Sequence, residues 1–459
     1  MCRAGTVFSS AVMTYYEEEE IYYVLEWEIE EEGVGVTTQN SIIQSAGGNL
    51  ELPKCVTKKC EWDTRKTKPL AFVTLEYTAH FPGVPRSIFL FITRPLLDVV
   101  GSCNTVVTMR IPMPRLYLGT MTFGWSQTSS YVDESVASAM VRLFVDFNAE
   151  APVHYIDTAR IYAGGKTETI LGQVLGKFGT PENGVLSIGT KAHPSQKLGL
   201  SAAGIRSQMQ ASLDAMQLKE VGEYYIHQPD TEHSLLESLQ EAHTMVTEGL
   251  CGSIGMSNYH ASEVERAFQL CDEHNLTKPT VYQGLYNPLN RCVEKELLPL
   301  LKRNNCSFVA YNPLAAGLLA GKHQQEGDVA KGRFKDNPNY LPRFYTNKNF
   351  EALQLIKGAC DKEGMPMVEA TYRWLLCHSV LEEQDGVLLG ASSLTQLQQN
   401  LDSCKAAEKG PLSANILEAF EMAWKLTEEG AFPYWRSYSA DMPNREALDQ
   451  GASYAAAKK

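Results

Sequence analysis

The amino-acid sequence predicts an α/β fold, a (β/α)8 TIM barrel preceded by an N-terminal extension of uncertain order. The first observation is that, from Pro114 onward, eight short apolar runs alternate with longer amphipathic stretches. Each gap between runs is long enough for the dozen or more residues of a parallel crossover. The second is that the runs end in polar or ionisable residues. The third is a composition of 44% hydrophobic and 21% charged residues over 459 positions, which is typical of a globular protein with a large core.

The eight runs are predicted to be β-strands because turn residues bound them and β-branched or aromatic residues are frequent in them. They lie at 116–119, 154–158, 186–191, 223–228, 252–257, 280–286, 307–314 and 386–391. Helices are predicted at 134–148, 202–218, 234–248, 262–274, 294–304 and 369–378. An open doubly wound sheet shows the same alternation. It usually has a glycine-rich turn after its first strand, and neither G-x-G-x-x-G nor G-x-x-x-x-G-K-[ST] occurs in this chain.

Three segments follow from this pattern: an extension at 1–108, the barrel at 109–436 and a polar tail at 437–459. The extension has no steady period, and nine acidic residues fall between Glu17 and Glu32. Loose alternation from Ile21 to Ile29 allows a half-buried strand, and a poorly ordered or unrelated addition is the other interpretation. The tail is expected to lie over the binding pocket at first and then to be mobile.

Charge and cysteine content argue against a nucleic-acid-binding protein and against a metal site. A net charge of −13 disfavours nucleic acid as a partner, because the phosphate backbone is also negative. The sequence contains no apolar run of membrane-spanning length and no signal peptide, so we expect a cytoplasmic protein without membrane contact. Eleven cysteines without a C-x-x-C pair predict free thiols and no metal site.

The polar residues at the strand ends suggest a reaction. In a parallel barrel the carboxyl ends of the strands meet at one rim, where the chemistry takes place. A tyrosine hydroxyl such as Tyr162 is a weak acid, with a reference pKa of about 10, and a neighbouring ammonium lowers that pKa. Lys191 can supply the ammonium, and Asp157 the carboxylate that a buried lysine needs. With His227 hydrogen-bonding a carbonyl oxygen, these residues predict a reductase of carbonyl groups that needs no metal.

Several motifs in order carry a family resemblance. They are LGTMTFG at 118–124, DTARIY at 157–162, GTK at 189–191, YIHQPD at 225–230, GMSNY at 255–259, PTVYQG at 279–284, AYNPLAAGLLAGK at 310–322, GRF at 332–334 and GASSLTQLQQN at 390–400. With these motifs the chain from about Pro114 to Trp435 closely resembles the aldo-keto reductase superfamily. Within it the chain looks most like the branch of aflatoxin-aldehyde and succinic-semialdehyde reductases.

The resemblance implies NADPH bound in an extended form, without a Rossmann domain, and the four roles given above to Asp157, Tyr162, Lys191 and His227. The positions that match cofactor-binding residues are Ser257, Asn258, Gln283, Tyr311, Asn312, Leu314, Gly317, Leu319, Lys322, Arg333, Gly390, Ser392, Gln396 and Asn400. The substrate positions are His227, Tyr340, Arg343 and Tyr434, with Arg436 as an alternative to Tyr434. Basic groups there suit an aldehyde that carries an anionic group.

The chain also departs from the family pattern. The strand before His227 usually begins with an Asp-containing run, but here it reads VGEYY at 221–225 without that Asp, and Glu223 is expected to compensate. The loop before Tyr340 is shorter than expected. The resemblance implies an NADPH-dependent aldehyde reductase involved in detoxification. It leaves as an alternative an NADPH-binding regulatory subunit of a potassium channel with marginal turnover. A homodimer is possible within this branch, although the stripe from Val141 to Phe147 is predicted to face the core.

Overall fold

The computed structural model describes residues 7–16, 21–31, 34–45, 72–79, 88–95, 106–110, 113–178, 185–321, 323, 334–335, 337 and 340–452. The chain divides into two compact units, Met1–Ile111 and Pro112–Lys459. This division lies three residues after the boundary predicted at 108, just before the first strand of the second unit.

The described part of the first unit forms two antiparallel sheets of three strands each. The strands of one sheet are β1 (Val7–Tyr16), β2 (Ile21–Glu31) and β3 (Val34–Ser45), in that order. Those of the other are β4 (Phe72–Ala79), β5 (Ile88–Pro95) and β6 (Val106–Arg110). The alternating segment from Ile21 to Ile29 lies in β2, so the structure has a strand where the sequence left two interpretations open.

The second unit is a closed barrel of eight parallel strands. They are β7 (Arg115–Gly119), β8 (Val153–Asp157), β9 (Val185–Ala192), β10 (Val221–Ile226), β11 (Cys251–Ser257), β12 (Val281–Leu285), β13 (Ser307–Tyr311) and β14 (Gly386–Gly390). Each strand pairs with the next, and β14 pairs with β7 to close the barrel. All eight predicted runs are strands, and the predicted (β/α)8 fold is confirmed.

Helices cover the outside of this barrel. They are α1 (Glu134–Phe147), α2 (Lys166–Phe178), α3 (Ala202–Met216), α4 (Leu235–Thr247), α5 (Ala261–Glu273), α6 (Leu297–Arg303), α7 (Leu341–Phe344), α8 (Asn347–Lys362), α9 (Met367–Arg373), α10 (Leu394–Lys405) and α11 (Ala414–Thr427). Side-chain caps begin several of them: Asp133 accepts from the Val136 N–H, and Ser201 from the Gly204 N–H. Val141, Phe144 and Val145 of α1 are buried in the core of this chain, as the stripe predicts. Among the described residues, no helix is both long and apolar enough to cross a membrane.

The described part of the tail, residues 437–452, packs against the outer helices and is termed the C-terminal segment. The carboxylate of Asp441 accepts hydrogen bonds from the Ser234 hydroxyl (2.8 Å), the Leu235 N–H (2.8 Å) and the Arg266 guanidinium (2.6 Å). The Ser439 N–H donates to Glu263 Oε1 at 2.8 Å. These contacts fasten the segment beside α4 and α5, whereas the sequence suggested a tail over the pocket.

Candidate active site

The four predicted catalytic residues come from three neighbouring strands and meet at the carboxyl rim of the barrel. Asp157 is the last residue of β8, Lys191 is the penultimate residue of β9, and His227 directly follows β10. Tyr162 begins a short 3₁₀ turn, Tyr162–Gly165, after β8. The turn returns the phenol towards the rim, where its ring lies edge-on to His227 with centroids 6.0 Å apart.

Lys191 is fully buried, and its ammonium is held by oxygen atoms of β8 and the loop after it. It forms an ion pair with Asp157 and donates to the Thr158 carbonyl at 2.7 Å. Burial lowers the pKa of Lys191, and the charge of Asp157 opposes that change. Gln283 Nε2 donates to the same Asp157 oxygen at 2.8 Å, which fixes the carboxylate from β12. The Lys191 ammonium lies 5.5 Å from the centre of the Tyr162 ring.

His227 is set up as a neutral imidazole. Burial lowers its pKa well below the usual value, and the nearby His193, Lys191 and Arg436 lower it further. The ring of His193 stands at 90° to that of His227 with centroids 5.1 Å apart. Burial also lowers the pKa of His193 to about 4, so both rings are uncharged near neutral pH. A neutral imidazole can donate one hydrogen bond and accept another, which suits a group that orients a carbonyl oxygen.

A cavity of about 1110 Å³ opens above this rim. Typical small-molecule pockets measure about 300–1,000 Å³, so the cavity has room for a large cofactor together with a substrate. Three of the four predicted catalytic residues line it, and Lys191 lies beneath its floor. The lining includes these predicted cofactor and substrate residues: Ser257, Asn258, Gln283, Tyr311, Asn312, Leu314, Gly317, Gly390, Ser392, Gln396, Asn400, Tyr340 and Arg343.

Asn258 connects several strand ends beside His227. Its backbone adopts a left-handed conformation, with φ of 63°, a region that asparagine tolerates better than most residues. Its Nδ2 donates to the His227 carbonyl and to the Ser257 hydroxyl, each at 2.9 Å. Its Oδ1 accepts from the Tyr311 hydroxyl at 3.0 Å. These bonds hold an amide and an aromatic ring in fixed positions on one wall of the cavity.

The opposite end of the cavity lies at the start of α10. Gln396 Oε1 accepts from both the backbone N–H and the hydroxyl of Ser392, each at 2.9 Å. Asn400 Nδ2 donates to the Gly390 carbonyl at 3.3 Å. Lys409 lines the same cavity, and its Nζ lies 3.7 Å from Glu369 Oε1. The lining along and just after α10 therefore presents polar groups and a cation, in contrast to the aromatic wall near His227.

Four of the predicted cofactor and substrate residues are not among the lining residues of the cavity. Leu319 is buried and does not line it. Lys322 and Arg333 lie outside the described residues. Tyr434 was predicted to contact substrate, but its side chain is buried against α5, where its hydroxyl accepts from the Ala261 N–H at 3.1 Å. The alternative residue Arg436 lines the cavity.

Sequence reasoning missed His193 and Trp125, which both line the cavity. His193 follows β9 by one residue, so reading further past the strand end would have found it. Its Nδ1 accepts from the Ser195 N–H at 3.1 Å, which leaves the proton on Nε2. Trp125 lies in the loop after β7, and nothing in its local sequence marks it as a pocket residue.

Comparisons with known proteins agree with this geometry. The Aldo/keto reductase family model matches residues 115–420. Aflatoxin B1 aldehyde reductase member 2 of Rattus norvegicus is 38% identical over 357 residues, which cover 75% of this chain and 94% of the relative. Aldo-keto reductase family 7 member A3 of Homo sapiens is 37% identical over 335 residues, 70% of this chain and 97% of the relative.

A fungal relative is more distant: Oxidoreductase sirO of Leptosphaeria maculans is 33% identical over 333 residues, 70% of this chain and 97% of that protein. The resemblance to aflatoxin-aldehyde reductases that the motifs indicated is thus confirmed. On the family match and on these identities, the chain belongs to the aldo/keto reductase family, a family of oxidoreductases.

Proposed function

We propose that this protein reduces aldehydes to alcohols with NADPH, with Tyr162 as the general acid. The observation that carries the proposal is the buried ion pair of Lys191 and Asp157 beside Tyr162, at the floor of the large cavity. A bound reduced nicotinamide supplies the hydride that such a reaction needs. A buried ammonium that touches no solvent is costly, and a proton-transfer role next to it accounts for the cost.

Each catalytic side chain has a separate task in this proposal. Tyr162 gives its proton to the carbonyl oxygen as that oxygen gains negative charge. The Lys191 ammonium stabilises the phenolate that Tyr162 becomes, and Asp157 keeps the lysine charged in its buried site. His227, being neutral, donates a hydrogen bond to the carbonyl oxygen and orients it.

The residues present fit a nicotinamide cofactor. Ser257, Asn258 and Gln283 offer a hydroxyl and two amides on one wall, and Tyr311 offers a flat ring beside them. Among the described residues, Nδ1 of His227 is buried without a hydrogen-bond partner, as expected where a ligand completes the site. Arg333 and Lys409 are the proposed cations for the additional phosphate that distinguishes NADPH from NADH.

The substrate end of the cavity favours an aldehyde with an anionic group. Arg343 and Arg436 both line the cavity, and Tyr340 and Trp125 add aromatic surface to the lining. A guanidinium binds a carboxylate through two parallel hydrogen bonds. The relatives named for aflatoxin B1 aldehyde suggest that bulky aldehydes also fit, and a cytoplasmic role in detoxification belongs to the same proposal.

The substitution Tyr162→Phe tests the mechanism. We expect kcat/KM for 4-nitrobenzaldehyde to fall by about 10² to 10⁴-fold, because the general acid is lost while the ring remains. NADPH binding, followed by nicotinamide fluorescence, is expected to stay within about twofold, since no cofactor position changes. A variant that reduced the aldehyde at the wild-type rate would exclude Tyr162 as the acid.

The same assay separates the alternative function. Wild-type protein that binds NADPH but shows no measurable turnover with succinic semialdehyde, aromatic aldehydes, methylglyoxal or quinones would favour the regulatory subunit. Measurable turnover, with kcat/KM for each compound, would support the reductase and rank its substrates.

A further inference from the structure

The floor of the barrel beneath Lys191 contains a second carboxylate, that of Glu223. Glu223 lies on β10, level with Gly189 of β9 and one layer below the catalytic rim. Its Oε1 accepts from the Tyr117 hydroxyl at 3.0 Å, and its Oε2 accepts from the Tyr225 hydroxyl at 2.7 Å. Barrel interiors are usually filled by branched aliphatic residues, so a carboxylate with two phenols needs a reason.

Both phenols remain proton donors to this carboxylate. Burial raises the pKa of Tyr117 and of Tyr225 well above the usual value, and the charge of Glu223 raises both further. Burial also raises the pKa of Glu223, which its two tyrosine hydrogen bonds and the charge of Lys191 oppose. Both carboxylate oxygens of Glu223 therefore accept from neutral donors, and within the described part of the chain no cation forms an ion pair with them.

Glycines on neighbouring strands leave the room for this group. A Cβ atom at Gly255 would lie 2.3 Å from the Tyr225 ring, and one at Gly386 would lie 2.6 Å from the Tyr117 ring. A Cβ atom at Gly189 would lie 3.1 Å from Glu223 Oε2. Three strands thus lack side chains where the phenols and the carboxylate pack, which makes this a closely fitted arrangement.

Tyr225 links Glu223 to the catalytic lysine. It is the register partner of Lys191, and the Lys191 ammonium lies 5.2 Å from the centre of its ring. A cation at this distance from an aromatic face is attracted by the π electrons. A hydrogen bond from the phenol to a carboxylate both fixes the ring and makes it more electron-rich, so the contact with the ammonium strengthens.

We propose that Glu223 is a positioning residue for proton transfer, which acts through the Tyr225 ring to hold the Lys191 ammonium beside Tyr162. Glu223 does not touch the cavity, so it acts on the reaction only through other residues. The inference rests on the proposed function of Tyr162 as the general acid.

Carboxylates other than Glu223 also affect the pKa of Lys191 and must be considered in any test. Asp157 opposes the effect of burial on the pKa of Lys191 most strongly, and Glu223 and Glu168 do so less. The groups that face Glu223 are Tyr117, Tyr225, Lys191 and Asp157. Replacing Glu223 by a neutral residue therefore removes one of three negative charges that favour the ammonium.

The test measures the pH midpoint at which Tyr162 ionises in wild type and in Glu223→Gln. Tyrosinate absorbance is followed during a pH titration of each protein. The signal of Tyr162 is the difference between that protein and the same protein carrying Tyr162→Phe. Without the carboxylate, the Tyr225 ring and the Lys191 ammonium are held less firmly, so the ammonium stabilises the Tyr162 phenolate less and the midpoint is expected to rise by about half a pH unit or more. The high-pH limb of kcat/KM for aldehyde reduction is expected to move to higher pH with it. Loss of the negative charge alone would lower the midpoint, so a folded Glu223→Gln protein with an unchanged or lowered midpoint would overturn the proposal.

Two further variants test the proposal if Glu223→Gln misfolds and distinguish it from a purely structural role of Glu223. Tyr225→Phe keeps the ring and loses only the hydrogen bond, so it is expected to raise the midpoint as Glu223→Gln does, and it tests the proposal if Glu223→Gln does not fold. Tyr117→Phe, which removes the other hydrogen bond, is the control and is expected to leave the midpoint nearer the wild-type value. Equal shifts in these two variants would contradict a path through Tyr225. The titration needs no turnover, so absence of reductase activity would count against the proposed function alone.

Discussion

Two layers of the barrel interior each contain a carboxylate, and they satisfy it in different ways. In the upper layer Asp157 is paired with a fully buried ammonium and receives an amide hydrogen bond from Gln283. In the lower layer Glu223 receives two phenol hydrogen bonds, and no ion pair joins it to another of the described residues. The upper carboxylate is thus held by a cation and an amide, whereas two neutral phenols hold the lower one.

Burial acts in opposite directions on the two kinds of group. It lowers the pKa of Lys191 and raises that of Glu223, because in each case it disfavours the charged form. The negative charge of Glu223 opposes the lowering of the Lys191 pKa, and the positive charge of Lys191 opposes the raising of the Glu223 pKa. The upper and lower layers are therefore expected to respond differently to the loss of one partner.

The largest expected effect is that of Lys191→Met in the upper layer. The substitution leaves the Asp157 carboxylate buried without its cation, and such a break costs about 3–5 kcal/mol. The free energy of unfolding, measured by urea denaturation, is expected to fall by that amount. The double variant Lys191→Met/Asp157→Asn is expected to recover much of the stability but none of the reductase activity. A single variant as stable as wild type would show that the upper pair contributes no more than an ordinary polar contact.

A smaller effect is expected for Tyr117→Phe in the lower layer. Glu223 keeps its hydrogen bond from Tyr225 and loses one charge-assisted bond, which is worth about 1.5–3 kcal/mol. Urea denaturation is expected to show this loss, while kcat stays within about twofold because Tyr117 does not contact the catalytic residues directly. A loss of stability as large as that of Lys191→Met would remove the distinction between the two layers.

The smallest effect concerns the uncharged histidine beside the upper layer. The folded-state pKa of His193 is about 4, below its ordinary value of about 6.5. The unfolded chain therefore binds more protons between these values, so stability is complete above about pH 6.5 and falls as the pH drops towards 4. In His193→Asn this loss of unfolding free energy between pH 7 and pH 5 is expected to be smaller than in wild type. An identical pH dependence in both proteins would mean that protonating His193 does not affect folding.

The sequence predicted the eight strands because each is a short apolar run with turn residues at its ends, and these are local signals. It predicted Asp157, Lys191 and His227 for the same reason, since a strand end can be read without knowing its neighbours. The segment of Tyr434 belongs to no strand, so its sequence does not predict which way the side chain points. Its side-chain direction depends on contact with Ala261, which is far away in the chain.

Glu223 shows the limit of sequence reasoning more clearly. It was noticed only as a departure in the strand before His227. Its role depends on Tyr117 from β7, Tyr225 from its own strand and the missing side chain of Gly189 on β9. Such a group is assembled by strand register, which local pattern does not encode.

The sequence by itself determined the barrel, its family and the residues at the carboxyl ends of the strands, because strand period, turn residues and motif order are carried by adjacent positions. Only the tertiary structure decided which of these side chains meet. It placed Lys191 beneath the cavity, Arg436 in it and Tyr434 outside it, and it joined Glu223 to Lys191 through one aromatic ring. The physical reason is that burial and partner geometry arise from residues far apart in the chain, and these set the protonation and the position of each group.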